Sequence, residues 1–498
     1  MPSNLLTSAL TRIERAGNRL PHPTLLFVWL CLLMLAISWL AALSGLNATL
    51  PDGTSVTARS LLSQAGLHWM LTSTVSNFVQ FAPVGTVLVA MLGIGITEHS
   101  GLLRSLLRLL VLSAPRSLLT FMVVITAMLS HTAADAGYVV LIPLAGILFA
   151  TAGRPPLAGI FAAFAGVSGG YSANLVVGPI DAILAGLSTE AAHLVAADYV
   201  VNAAGNYYFS LVSAFVLSVV ATLVSEKLVE PRLAASTEAP GDEPLTVAER
   251  RGLRAAGIWT LLFLALLVAG SWGSDSLLRD PQQPALVDSP LLSGVVTVIA
   301  FYAAIAGIVY GRFSGSYQRL DDAVTGMETH MATMAPYLVL MFFAAQFVSY
   351  FGWSQLGTIV AVRGAELLGA LNPGLTGLMI GLVILTALIN LLIGSASAKW
   401  AVLAPVFVPM FYLLGVSPEA TQMAFRIGDS STNIITPLMP YFGVVVAFAQ
   451  RYDRQLGIGT LIANMLPFSI AFLLSWSLLF VIWIALGWPL GPGAPVGL

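Results

Sequence analysis

The amino-acid sequence predicts an all-α polytopic membrane protein with about nine transmembrane helices and two re-entrant hairpins, arranged as two inverted repeats. Three observations carry that prediction. Mean hydropathy is +0.89, the basic residues fall on one side of the predicted spans, and residue patterns recur at a fixed offset of 262 positions.

Hydropathy comes first because it sets the solvent. Of 498 residues, 57% are hydrophobic and 9% are charged, too little charge to cover a water-soluble surface of this size, and many runs reach the roughly 18 apolar residues needed to cross hydrocarbon. Long runs, instead of short alternating ones, exclude a transmembrane β-barrel. A formal net charge of −2 gives no footing for nucleic acid. The single cysteine, Cys31, forms no internal disulfide. Arg12, Arg15 and Arg19 precede the apolar stretch 24–43, which is too long for a signal-peptide core and is read as a retained first span.

Full spans are predicted at 24–45, 70–97, 156–197, 205–226, 256–271, 291–311, 331–350, 418–450 and 458–488, with paired shorter apolar segments at 117–152 and 375–415 read as hairpins. With the N-terminus in the cytoplasm, sixteen of the 21 Lys and Arg residues lie inside and three, Arg59, Arg279 and Arg363, lie outside. That positive-inside bias sets the predicted orientation. Lys399 and Arg426 are left over, both within apolar surroundings.

The stretch Glu226 to Arg254 holds eleven charged residues with Pro231, Pro240 and Pro244, and reads as a cytoplasmic linker over 226–255. It separates a first repeat, 1–225, from 256–498, an extra span followed by a second repeat. At the offset of 262, "AADAGYVVLIP" (133–143) overlies "SASAKWAVLAP" (395–405), Pro143 matches Pro405, Pro156 matches Pro418 and Gly166 matches Gly428. After a three-residue difference, "SANLVVGP" (172–179) overlies "STNIITP" (431–437). Counting crossings makes the hairpin 117–152 enter from the cytoplasm and the hairpin 375–415 from outside, so the repeats are inverted. Amphipathic runs at Leu102 to Leu112 and Gly352 to Leu371 become matching interfacial helices. The spans 156–197 and 418–450 become broken helices. Inverted repeats with broken helices at mid-depth are the architecture of secondary transporters.

Polar breaks in hydrocarbon are tolerated only where the backbone is packed in protein or lines a wet cavity. Four are predicted, at 130–137, 166–179, 392–399 and 428–440. Asn174 and Asn433 fall at equivalent breaks, and oxygen-rich breaks suit Na⁺; Asn174, Asn433 and Asp429 are the candidate Na⁺ ligands, with helix capping as the plainer role. Arg426 and Asp429, three apart, either neutralise one another or are carried apart by the break. Freed for function, the two pair while ligand is absent; when ligand binds, Arg426 holds its anionic end and Asp429, losing its partner, takes up a proton. His131, Asp135 and Asp181 are further proton or cation sites. Trp400, beside Lys399 at the second hairpin tip, is either a stacking face for a flat ligand or an interface anchor, and Asn390 can hydrogen-bond a ligand.

Enzyme classes fit poorly. An intramembrane aspartyl protease needs Gly-x-Gly-Asp where this chain has "RIGD" (426–429), no histidine lies in a His-Glu-x-x-His pattern, and the long aqueous loops of a lipid-linked transferase are missing. A passive channel is the remaining rival to a transporter.

The passages "SASAKWAVLAP", "RIGDSSTNIITPLMPY" (426–441) and "GGYSANLVVGPIDA" (169–182) resemble the p-aminobenzoyl-glutamate transporter (AbgT) family, over essentially the whole chain. The resemblance implies a homodimer of nine-span subunits in the inner (cytoplasmic) membrane, with Asp181, Asn390, Trp400, Pro418, Arg426 and Asp429 lining the transport path. It implies export of p-aminobenzoate-like aromatic acids and sulfonamide antimetabolites against a proton or sodium gradient, or uptake of p-aminobenzoyl-glutamate. No cofactor is expected apart from possible Na⁺.

Overall fold

The computed structural model of the protein describes residues 23–50, 53–113, 115–133, 137–233, 245–272, 276–279, 289–437, 439 and 441–498. Arg12, Arg15, Arg19, Asp135 and the middle of the expected linker, 234–244, with Pro240 and Pro244, lie outside the described residues.

The chain begins with α1 (Pro23–Leu43), a short antiparallel pair of strands at Asn47–Thr49 and Ser55–Thr57, and α2 (Gln64–Val79). It continues through α3 (Ala82–Ser100), α4 (Leu102–Leu112), α5 (Leu119–Leu129), α6 (Ile142–Thr151), α7 (Pro156–Phe164), α8 (Pro179–Ala192) and α9 (Tyr207–Val224). The remainder comprises α10 (Val247–Ser271), α11 (Val295–Ser314), α12 (Asp321–Ala332), α13 (Ala335–Trp353), α14 (Leu356–Leu371), α15 (Gly374–Asn390), α16 (Ala396–Tyr412), α17 (Pro418–Asn433), α18 (Phe442–Ala449) and α19 (Ile458–Leu486).

Among the described residues seven helical stretches are long and apolar enough to cross a bilayer, and an eighth results if α14 and α15, bent by 118° at their junction, form one span. The span expected at 70–97 is instead part of a 37-residue stretch, Gln64–Ser100, made of two helices. Thirty-seven residues of straight helix would measure about 55 Å, well beyond the hydrocarbon core of about 30 Å. The break has a local cause: Phe81 is extended, Pro83 has no N–H to give, and the freed Ala82 N–H donates to Glu190 Oε1 at 3.0 Å.

Both stretches expected as broken helices are interrupted. In the first, α7 ends in a π-turn at Ala165–Gly169, and non-helical chain leads to α8. In the second, α17 runs unbroken to Asn433, so the interruption begins at Ile434 and not at Gly428 as the sequence suggested. Capping explains the difference: Ser417 accepts from Ala420 N–H and Pro418 occupies the first turn, so a strong start carries the helix through its Ser and Thr residues. The break expected at 392–399 is shorter as well, since α16 begins at Ala396 on the Ser395 cap and takes Lys399 and Trp400 into its first turns.

The offset of 262 has a counterpart in packing. At Gly166 an added Cβ would stand 2.7 Å from Val124 O and 2.5 Å from Ala127 Cβ of α5, and at Gly428 it would collide with Val383 O and Thr386 Oγ1 of α15. Pro156 and Pro418 likewise open α7 and α17. Each interrupted stretch thus crosses a preceding helix at a glycine where only hydrogen fits. α17 is the innermost element, with every one of its 16 residues buried, and it packs on α8, α15, α16 and α19.

Candidate functional site

α17 is enclosed on all sides, yet its sequence is polar. Glu419, Gln422, Arg426, Asp429 and Asn433 follow the three-four spacing of one helical face, and burying them is tolerable only with partners from neighbouring elements. The structure supplies those partners from both halves of the chain.

Asp181 is the third residue of α8. Its Oδ2 accepts from the Gly178 N–H at 2.8 Å and from Asn174 Nδ2 at 3.1 Å, which fixes the carboxylate at the helix start, where negative charge is favoured. The other oxygen, Oδ1, accepts from Arg426 Nη2 at 2.5 Å. Arg426 Nη2 also reaches Ser172 O at 3.5 Å, while its Nε has no hydrogen-bond partner among the described residues.

A second ion pair lies one turn along. Lys399 Nζ, from α16, contacts Asp429 Oδ1 and donates to Asn390 Oδ1. The Asn390 amide nitrogen, at the end of α15, is within hydrogen-bond distance of Asp429 O at 2.7 Å, Thr432 Oγ1 at 2.9 Å and Asn433 Oδ1 at 2.9 Å. Asn433 Nδ2 continues the chain to Ser168 O in the π-turn, at 3.3 Å. The intrahelical neutralisation of Arg426 by Asp429 weighed from the sequence does not occur: each charge has a partner on another element, because a buried arginine and aspartate one turn apart point to different neighbours, α8 and α16.

Trp400 is fully buried. Its ring stacks on Phe425 at 4.6 Å with planes 29° apart, and its Nε1 donates to Ser188 Oγ at 2.9 Å, as does Gln422 Nε2. It is a wedge between α8 and α17 and offers no open face at a tip, in contrast to the sequence expectation. Pro418 opens α17 beside Glu419, away from the ion pairs.

The candidate Na⁺ ligands divide. Asn174 Oδ1 is buried without a hydrogen-bond partner among the described residues, whereas Asn433 Oδ1 already accepts from Asn390 and Asp429 is bound to Lys399. No group of three or more His, Cys, Asp or Glu suited to a metal occurs among the described residues. His131 lies edge-on to Tyr171 at 5.0 Å.

Lys399 is the site residue that sequence reasoning left unassigned. Its signal was visible: two cations, Lys399 and Arg426, stand in apolar surroundings with two carboxylates, Asp181 and Asp429, and charges in hydrocarbon pair. Ser188 and Gln422 carried no such signal.

The AbgT putative transporter family matches residues 8–498. A p-aminobenzoyl-glutamate transport protein of Escherichia coli (strain K12) is 37% identical over 487 residues, covering 97% of this chain and 95% of that protein. The crystal structure of the Alcanivorax borkumensis YdaH transporter, described as having an unusual topology, superposes with a TM-score of 0.91 at 53% identity, covering 95% of this chain and all of that one. The structure of Neisseria gonorrhoeae MtrF, presented with a class of antimetabolite efflux pumps, gives a TM-score of 0.92 at 46% identity, covering 98% of this chain and all of MtrF.

Proposed function

The chain belongs to the AbgT putative transporter family, and we propose that it is a secondary active transporter of the inner membrane that exports p-aminobenzoate-like aromatic acids and sulfonamide antimetabolites, driven by a proton or sodium gradient. Its first inverted repeat, 1–225, and the second, which follows an extra span within 256–498, each contribute a re-entrant hairpin and a broken helix, giving about nine spans per subunit of a homodimer.

The observation that carries this reading is the pair of buried ion pairs on one helix, Arg426 with Asp181 and Lys399 with Asp429. A ligand carboxylate is chemically equivalent to Asp181, and the planar fork of Arg426 suits either. When ligand takes Arg426, Asp181 is left buried without its cation, and a proton neutralises it; this exchange links substrate to protons. Asp429 on Lys399 is the second group able to change charge in the same centre. For sodium, Asn174 Oδ1 is the available oxygen, with Asn433 and Asp429 joining it once their present partners are displaced.

The deciding experiment is flux of radiolabelled p-aminobenzoate and p-aminobenzoyl-glutamate in proteoliposomes, with pH and Na⁺ gradients imposed separately. Uphill export of p-aminobenzoate that collapses with one gradient supports the reading and names the ion. The name of the Escherichia coli relative favours a second reading, uptake of p-aminobenzoyl-glutamate, and concentrative inward flux of that compound would replace export with import. Unsaturable ion currents without counterflow would replace both with a channel.

A further inference from the structure

Three carboxylates are buried among the described residues: Asp181, Asp429 and Glu419. Two hold cations. Glu419, second residue of α17, makes no ion pair with any described residue; its Oε2 accepts from the Tyr199 hydroxyl at 2.9 Å. The loop after α8 lies directly on it, so that a Cβ on Gly205 would stand 2.9 Å from Glu419 Cγ. The titratable groups facing it are Tyr199 from that loop and, behind it, Tyr412 at the end of α16, edge-on to Tyr199 at 5.7 Å; Asp198 and His193 of the same stretch are exposed.

We propose that Glu419 is a further proton-binding site of the transporter, occupied while the Tyr199 loop covers it and emptied when that loop lifts. The geometry makes ionisation and cover incompatible. A carboxylate removed from water needs a cation or several donors, and among the described residues this one has two neutral donors, the Tyr199 hydroxyl and its own backbone N–H, with the weak field of a helix start and no cation. Uncovered, the carboxyl loses its proton to water; covered, it takes one up beside the Tyr199 hydroxyl, which stays neutral, and no other covalent bond changes.

The cover is built so that its movement reaches the charge centre. Asn206, at the end of the loop, donates to Gln422 Oε1 at 2.7 Å, and Gln422 donates to Ser188, which also holds Trp400. The C-terminal segment closes the same end, with Phe209 N–H donating to Leu490 O and Ser417 N–H to Val496 O, both at 3.0 Å. Lifting the loop therefore loosens the partners of α17 one turn from Arg426. Protonation of Glu419 is coupled to closure at this end of the helix.

The role in coupling rests on the transporter reading; the protonation does not, and the two are tested separately. Infrared difference spectra of the full-length protein in liposomes, recorded against pH, are expected to show a protonated-carboxyl band near neutrality that is missing in Glu419→Gln. A band unchanged in Glu419→Gln overturns the proposal. If that variant does not fold, Tyr199→Phe serves instead: it removes the hydrogen bond, so the band must move, and a band that stays in place overturns the proposal equally. For coupling, the pH dependence of proteoliposome flux is expected to flatten in Glu419→Gln with binding of p-aminobenzoate retained. A pH profile identical to that of the parent protein, with the infrared band lost, would leave Glu419 a buried acid outside the transport cycle and overturn its coupling role.

Discussion

Arg426 passes over Asp429, three residues along its own helix, and pairs with Asp181, Nη2 to Oδ1 at 2.5 Å, across 245 positions of the chain. The two groups tie polar α17 to α8 by charge, beside the Gln422–Ser188 hydrogen bond, and each is buried. Breaking such a pair from one side costs about 3–5 kcal/mol, whereas removing both charges costs less than the two single changes together. Arg426→Met and Asp181→Asn are therefore expected to lower unfolding stability singly and to recover part of it when combined, as read from denaturation in detergent. Binding separates their roles. Arg426→Met is expected to lose p-aminobenzoate in calorimetry, while Asp181→Asn keeps it and loses its drive from a pH gradient. Simple additivity in the double variant would remove the pair from the stability of the centre.

The second pair gives a different pattern. Asp429→Asn leaves the Asn390 contacts to Asp429 O and Thr432 intact, so α15 and α17 stay joined, but Lys399 faces an amide. Gradient-driven accumulation is expected to disappear with substrate binding largely retained. Lys399→Met strands the Asp429 carboxylate and is expected to be the less stable of the two; combining them restores stability without restoring accumulation. Uphill flux surviving in Asp429→Asn while failing in Asp181→Asn would place coupling on Asp181 alone.

How much of this was legible in the sequence depends on whether a signal is periodic or a matter of pairing. The apolar runs and the glycines at 166 and 428 are properties of single positions at fixed spacing, and the structure has long apolar helices and close glycine contacts near where the pattern puts them. The partners of Arg426 and Asp429 are not. Spacing along one helix made the two residues look like each other's partners, and the competing groups, Asp181 and Lys399, sit on segments far away in sequence. Sequence also misjudged where α17 stops, because Ser430, Ser431 and Thr432 read as a break. In a fully buried helix, Thr432 instead bonds back to Gly428 O at 2.9 Å, satisfying its hydroxyl without ending the helix. The two-stranded turn at Asn47–Thr57 was too short to register.

Trp400 illustrates the cost of reading an aromatic residue by position. Stacked on Phe425 and bonded to Ser188, it fills space between α8 and α17. Trp400→Ala is expected to lower unfolding stability by about 3–5 kcal/mol. Trp400→Phe keeps the stack and loses one hydrogen bond, about 1 kcal/mol, with aromatic ligand binding preserved. A Trp400→Phe protein of normal stability that no longer binds p-aminobenzoate would put the indole against the ligand instead.

Gly166 and Gly428 give the last test, one that bears on the proposed repeat without any ligand. Each lets an interrupted stretch press against the backbone of an earlier helix, at Val124 O and at Val383 O. A methyl group at either place forces the two elements apart, and overpacking of this kind costs roughly 1–3 kcal/mol. Gly381, inside α15, has nothing within 4 Å of an added Cβ; there alanine is expected to stabilise by about 0.5–1 kcal/mol through the unfolded chain and helix propensity. Gly166→Ala and Gly428→Ala should therefore both melt below the parent protein while Gly381→Ala melts at or above it. Losses at both 166 and 428, the larger at 428 where the contacts are closer, are what two units of one architecture require. A destabilised Gly428→Ala beside a neutral Gly166→Ala would mean that the offset of 262 aligns sequence without aligning packing, and the two-unit reading would have to be abandoned.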